Sequence, residues 1–293
     1  MDDGIVAVSD SPDPGVVGLE RSCTAGTTDW IRQRSTSPGI TLLEAWFQGR
    51  AYRQHRHDTY AIGVTETGIQ AFGYRGATYI STPGDVVVLH PDELHDGYAG
   101  ADMGFGYRLV YIEPALIFAA ASEITGRPRA LPFARHPVLR DVGLAPAIRR
   151  AFREGLEPLA ADELVRRVAL GLIDADSSQR IAPRSRALDL MAVARVRSFL
   201  DAERTRVVRS EELEAVSGLT RHELARQFRA VFGTSPYRYS VLRRLNSARD
   251  ELFRNRSLVD VALGSGFADQ AHFTRMFTAA YGIPPGRYRL LGR

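Results

Sequence analysis

The sequence predicts an α+β protein in two parts: an N-terminal antiparallel barrel or double-sheet jelly roll, and an all-α C-terminal domain made of two helix-turn-helix units. Three observations predict it. Short runs rich in Val, Ile, Tyr and Phe follow one another between about residues 40 and 112, separated by Gly or Pro at fairly even spacing. A C-terminal stretch is written twice, 49 residues apart. The charge is also divided: residues 185–293 hold 19 Arg against 11 Asp plus Glu, or +8, while the whole chain of 293 residues is +4, leaving −4 for residues 1–184.

Residues 1–22 open with "MDDGIVAVSDSPDPGVVGLE", which is acidic and rich in Pro and Gly. That composition reads as a mobile tail and not as a secretory signal. No apolar run approaches the roughly 20 residues that a membrane span needs. Cys23 is the single cysteine, so no intrachain disulfide forms, and a cytoplasmic location fits.

The barrel is expected over 23–115. Its strands are "TLLEAWF", "YAIGVTE", "IQAFGYR", "ATYIS", "DVVVLH" and "GYRLVYI", punctuated by Gly49, Gly68, Gly76, Pro83-Gly84 and Pro91. Such a barrel can hold a small molecule in its mouth. The candidate wall residues are Trp46, His55, His57, Tyr60, Phe72, His95, Tyr107 and Arg108. Trp46 and Phe72 serve equally well as plain core. Arg108 either meets an anionic ligand or faces water. His136, beside Pro137, reads as a loop residue.

A helical region is expected over 116–183. "DELVRRVALGLIDA" (162–175) sets Leu164, Val165, Val168, Leu172 and Ile173 on one stripe, and 141–156 carries a weaker one. The stripe packs on the barrel or pairs with a second subunit. "SSQRIAPRSR" (177–186) reads as a linker. A helix from about Ala187 to Ala202 then opens the last domain, 184–293.

In that domain Leu224, Arg226, Phe228, Gly233, Pro236 and Tyr239 recur 49 residues later as Phe273, Arg275, Phe277, Gly282, Pro285 and Tyr288. Upstream the offset is 48, pairing Leu213, Gly218 and Leu219 with Val261, Gly266 and Phe267. Two copies are too few for a solenoid. In the first unit Ser210 is positioned to cap one helix and Gly218 to end it in a left-handed conformation. Thr220 with Glu223 makes a capping box for the next helix, and Gly233 and Pro236 stop it. Leu224, Phe228 and Val231 share its buried face. The second unit repeats this with Ser257, Gly266, Asp269, Phe273, Phe277 and Ala280.

Each second helix keeps a polar face: Arg221, His222, Arg226 and Arg229 in the first unit, Gln270, His272, Thr274 and Arg275 in the second. Arginine and amide groups at the start of an exposed helix can bond base edges bidentately in a major groove. One copy alone reads as an ordinary solvated face. Two copies with matching turns, stops and arginines point to double-stranded DNA. Every basic residue is Arg, with no Lys in the chain. Codon usage accounts for that, and arginine still supplies planar donors to phosphate and guanine.

The span from about 187 to 293 resembles the DNA-binding domain of AraC/XylS-type transcription regulators, most strongly in "VDVALGSGFADQAHFTRMFTAAYGIPPGRYR" (259–289). The resemblance implies two helix-turn-helix units joined by one long helix. "PYRYSVLRRLNSARDELF" (236–253) fits that connector, with Val241, Leu245, Ala248 and Leu252 on one face. It also implies two reading helices in successive major grooves of promoter DNA, and a homodimer formed through the helices that follow the barrel. Glu214 departs from the pattern, standing where the family usually has a small residue and the second unit has Ala262.

"GRAYRQHRH" (49–57) and "PGDVVVLHPDELH" (83–95) resemble the two half-motifs of cupins, and "HDTYAIGVTETGIQAFGYRG" resembles the ligand-binding domain of AraC-type regulators. The fold class implied is a cupin-like barrel. His55, His57 and His95 match the three cupin metal-binding histidines, but the expected glutamate is absent, with Thr59, Tyr60, Ala61 and Ile62 in its region and Glu66 too late. No metal, no cofactor and no catalytic residue is therefore expected. The function implied is a cytoplasmic, effector-responsive transcription regulator. The alternative is a metal-dependent cupin enzyme with an appended DNA-binding domain.

Overall fold

A computed structural model describes residues 29–293 apart from 129, 141, 142, 177–187, 253, 255, 283, 287, 288 and 290–293. The tail expected over 1–22 and the linker expected over 177–186 lie outside the described residues. One antiparallel sheet runs β1 (Trp30–Ser37), β2 (Ile40–Phe47), β9 (Phe105–Ile112), β4 (Tyr60–Gly68), β7 (Val86–Leu89) and the short β10 (Val138–Leu139). The other runs β3 (Arg50–His55), β8 (His95–Ala99), β5 (Gln70–Tyr74) and β6 (Ala77–Ser81). This is the double-sheet jelly roll of the sequence reading.

Side chains alternate across a strand, and here both faces of the larger sheet are covered. Leu43, Ala45 and Phe47 of β2 and Tyr107, Leu109 and Tyr111 of β9 join Phe72 and Tyr74 between the sheets. The opposite parity, Ile40, Leu42, Ile62, Val64, Val110 and Ile112, packs outward against helices α1 (Pro114–Thr125), α2 (Leu144–Glu154) and α3 (Pro158–Ala175). Of the two destinations for the α3 stripe, the structure has the first: Leu164, Val165, Val168 and Leu172 are buried in that outer cluster. Helices α1–α3 are thus a layer on the barrel, and β10 extends its sheet.

The C-terminal part begins with α4 (Leu190–Ala202). The first unit is α5 (Ser210–Ser217) and α6 (Arg221–Phe232), the connector is α7 (Pro236–Glu251), and the second unit is α8 (Leu258–Gly264) and α9 (Gln270–Tyr281). Val196, Leu200, Leu213, Leu224, Phe228 and Tyr239 form one core. Val241, Leu245, Ala248, Leu252, Phe267, Phe273 and Phe277 form the other. The connector therefore feeds both units. Each fully buried side chain of this size contributes about 1.5–3 kcal/mol of transfer free energy.

The repeated punctuation behaves as the sequence predicts. Gly218, Gly233, Gly266 and Gly282 have φ of 73°, 70°, 76° and 71°. Thr220, Ser257 and Asp269 accept from the backbone N–H of Glu223, Asp260 and His272. Ser210 is a correction: it is the first helical residue, Arg209 holds the cap position, and the Arg209 N–H donates to the Glu212 carboxylate at 2.8 Å. Glu214 bridges the two helices of its unit, because its carboxylate accepts from the Arg221 N–H at 2.7 Å. No helix among the described residues is long and apolar enough to cross a membrane.

Candidate nucleic-acid interface and effector chamber

The seven candidate DNA-binding residues lie on α6 and α9, the second helices of the two units. Arg221, His222, Arg226, Arg229, Gln270 and Arg275 are exposed, and His272 is half-buried, its ring edge-on to Phe267 at 5.6 Å. Capping fixes the start of each helix, and the opposite face is anchored by Leu224 and Phe228 or by Phe273 and Phe277. The polar faces are therefore held by the core and not by one another.

The barrel docks on this domain through its β3–β4 and β7–β8 loops, which are tied together by the Asp92 N–H donating to His57 O at 2.8 Å. Asp58 bonds Arg243 of the connector. Asp92 lies 2.5 Å from Arg238 and accepts from the buried Thr234 hydroxyl at 3.0 Å. Glu113 is 3.7 Å from Arg197, and the Leu131 N–H donates to Ala230 O at 3.0 Å. Gly233 meets the same surface, since a Cβ there would stand 2.7 Å from Pro91 Cβ. The first unit's core also reaches across, because Phe118 of α1 belongs to it.

Docking leaves a groove of about 430 Å³ between the halves. Arg226 and Arg229 line one wall, and Tyr60, Arg75, His90 and Glu93 line the other. Helix α9 lies against strand β3. His90 was missed by the sequence reading, for lack of any pattern around it. It is buried, accepts from the Ala134 N–H at Nε2 (3.1 Å) and meets Tyr74 Oη through Nδ1 (2.9 Å). Burial first, then the nearby Arg75, lowers its pKa to about 4, so it is neutral at pH 7.

Five of the eight candidate wall residues converge on the barrel interior. Phe72 and Tyr107 are buried there, Tyr107 bonding Tyr52 through their hydroxyls. The His55, His57 and His95 rings cluster, with centroids 4.3 Å (His55–His95), 4.7 Å (His57–His95) and 6.2 Å (His55–His57) apart. Each Nδ1 donates to a backbone carbonyl two residues away, at Arg53, Thr59 and Glu93, 2.8–2.9 Å distant. That fixes the tautomer, since a carbonyl cannot donate. Burial, and secondarily His55 and His57, holds His95 well below the usual imidazole range. Among the described residues no group of His, Cys, Asp or Glu has the arrangement of a metal site.

Three wall residues are corrected. Trp46 and Arg108 have the parity of Leu42 and Val110, so they face outward. Arg108 bonds Glu44 at 2.8 Å and sits 3.6 Å from Glu66. Tyr60 also faces outward, its hydroxyl donating to Pro132 O at 3.0 Å, and it lines the groove between the halves. Phe47, Tyr52 and Tyr111 occupy the interior in their place; period-2 counting from His55 or Tyr107 within their strands finds Tyr111 but not the other two.

Residues 37–169 match the model of the AraC-like ligand binding domain, and 213–290 match a helix-turn-helix domain. An uncharacterised HTH-type transcriptional regulator, YbfI of Bacillus subtilis (strain 168), is 27% identical over 239 residues, covering 78% of this chain and 85% of its own. HTH-type transcriptional regulator MtrA of Neisseria gonorrhoeae is 31% identical over 83 residues, 28% of each chain. Among solved structures, an apo variant of ToxT from Vibrio cholerae superposes with a TM-score of 0.59 at 14% identity, covering 89% of this chain and all (100%) of that one. ToxT bound to an unsaturated fatty acid gives 0.57 at 13%, covering 88% and 97%. At these identities the ToxT likeness concerns the fold.

Proposed function

Since the chain belongs to the AraC-type transcriptional regulators, joining an AraC-like ligand binding domain to a helix-turn-helix domain, we propose that it reads promoter DNA through both units and answers to a small molecule held in the barrel. The observation that carries this reading is the duplication: two capped helices, each buried on one side by its own aromatic core and polar on the other. Homodimerisation and a cytoplasmic location belong to the proposal as well.

The effector response needs two domain arrangements that the ligand binds unequally. Its support is local. His57 in the chamber is followed directly by Asp58, which holds Arg243, and the His57 carbonyl holds the Asp92 loop. A ligand that displaces the His57 ring thereby acts on both loops that grip the DNA-binding half.

Footprints on one promoter test the two readers. Arg226→Ala should weaken specific binding by about 1–3 kcal/mol and relax preference at one subsite. Gln270→Ala should do the same about one helical turn, roughly 10 base pairs, away. Arg229→Ala should weaken all sequences alike, as loss of a phosphate contact does. If Arg226→Ala and Gln270→Ala disturb the same base pairs, or neither alters preference, one unit is only scaffold.

The enzyme alternative has its own test. Protein purified without chelator should carry less than one equivalent of Zn, Fe, Mn or Ni by elemental analysis. One tightly held metal per chain, lost on mutating His55, His57 or His95, would restore the enzyme reading.

A further inference from the structure

A cleft of about 200 Å³ opens inside the DNA-binding half, between α4, α5, α6 and α7 and away from the barrel. Its walls are apolar, formed by Leu200, Val208, Leu213 and Leu224. Its polar side gathers the first residues of three helices: Ser210 of α5, Arg221 of α6 and the Ser235-Pro236 start of α7. Helix N-termini carry partial positive charge and attract anions.

Arg244 is the second observation. It lines the cleft, is 4% exposed, and its buried Nε meets no acceptor among the described residues. The guanidinium donates through NH1 to Gly266 O at 2.7 Å and lies 4.8 Å from the Phe267 ring centroid. No carboxylate pairs with it among the described residues, and burial lowers its pKa, an effect that the nearby Tyr237 phenol opposes only in part. Arginine nonetheless stays protonated, so this is a buried cation lacking its counter-charge, an arrangement that costs free energy until an anion arrives. Arg221 at the rim is already shared with Glu214 at 3.7 Å, which leaves Arg244 as the charge to be met.

We propose that this cleft is a second ligand site, separate from the barrel, for a small monoanion with an apolar body, such as a short aliphatic or aromatic carboxylate. The carboxylate meets Arg244 and the helix starts, and the hydrocarbon lies on the leucine wall. The cleft equals about seven liquid waters at roughly 30 Å³ each, so the body is short.

Calorimetric titration of the full chain with hexanoate and with benzoate tests the site, against hexanamide, benzamide and inorganic phosphate as controls. At least one carboxylate should bind saturably, with the matching amide and phosphate at least tenfold weaker. Ser240→Leu, which fills the cleft and keeps Arg244, should weaken that binding at least tenfold. Arg244→Met, which keeps the stem and removes the charge, should do the same. Should Arg244→Met fail to fold by circular dichroism, Ser240→Leu and the amide comparison still decide. The proposal is overturned by absence of saturable binding, by an amide that binds as tightly as its acid, or by carboxylate binding that survives Ser240→Leu. Phosphate binding as tight as that of the carboxylates also overturns it, marking the cleft as a seat for the DNA backbone.

Discussion

A fragment of residues 185–293 is expected to bind DNA with an affinity that falls about 10³-fold or more between about 50 and 200 mM salt, provided it neutralises six or more phosphates. The fragment carries +8 against +4 for the whole chain. At any one salt concentration it should also bind more tightly than the full chain. Asp58, Asp92 and Glu113 of the other half engage Arg243, Arg238 and Arg197, and a polyanion has to compete with them. The fragment does lose Phe118 and Leu131, which pack on the first unit's core. Removing one such contact forfeits about 1.5–3 kcal/mol, so binding is measured well below the fragment's own melting temperature. Folded fragment that shows no salt-sensitive binding would refute the assignment of this domain.

Truncating Phe277 to alanine is expected to remove about 3–5 kcal/mol of stability through the cavity it leaves. Phe277 is fully buried, with Phe273 and Tyr281 ring centroids 5.4 Å and 4.4 Å away. The damage should stay in the second unit, because the two cores of the DNA-binding half are separate clusters. Phe228→Ala should lose a similar amount but spread further, since its cluster includes Phe118 of the barrel's helical layer. Amide hydrogen exchange resolves the two cases. In Phe277→Ala, α8 and α9 should lose protection while α1 keeps it. In Phe228→Ala, α1 should lose protection too. Equal loss everywhere in both variants would mean that the units unfold as one.

The helical half was legible because its signals are local. A cap such as Thr220 or Asp269, a stop such as Gly282 and a stripe such as Leu224-Phe228-Val231 each act within a few residues, and a repeat states them twice. The strands were found by composition, but which way their side chains point was not. In β2 both Leu42 and Leu43 are buried, one under helices and one between sheets. With apolar cover on both faces there is no alternation to read, so Trp46 and Arg108 could be placed in the interior on paper while the pairing of β2 with β9 turns them out. Tyr60 was misplaced for the same reason. The docking of the halves was invisible because its partners lie 142 and 185 residues apart in sequence, as for Thr234–Asp92 and Arg243–Asp58. Glu214 looked like a misfit by position alone, and becomes intelligible once α6 is seen to begin where its carboxylate can reach Arg221.

Gly233 ends α6 in a left-handed turn and abuts Pro91 of the barrel. Any other residue there strains the turn by roughly 1–2 kcal/mol, and its first carbon works as a wedge driven between the halves. The stop signal of a helix and the seat of one domain on another are therefore inherited together: substitution at this one position changes neither without the other.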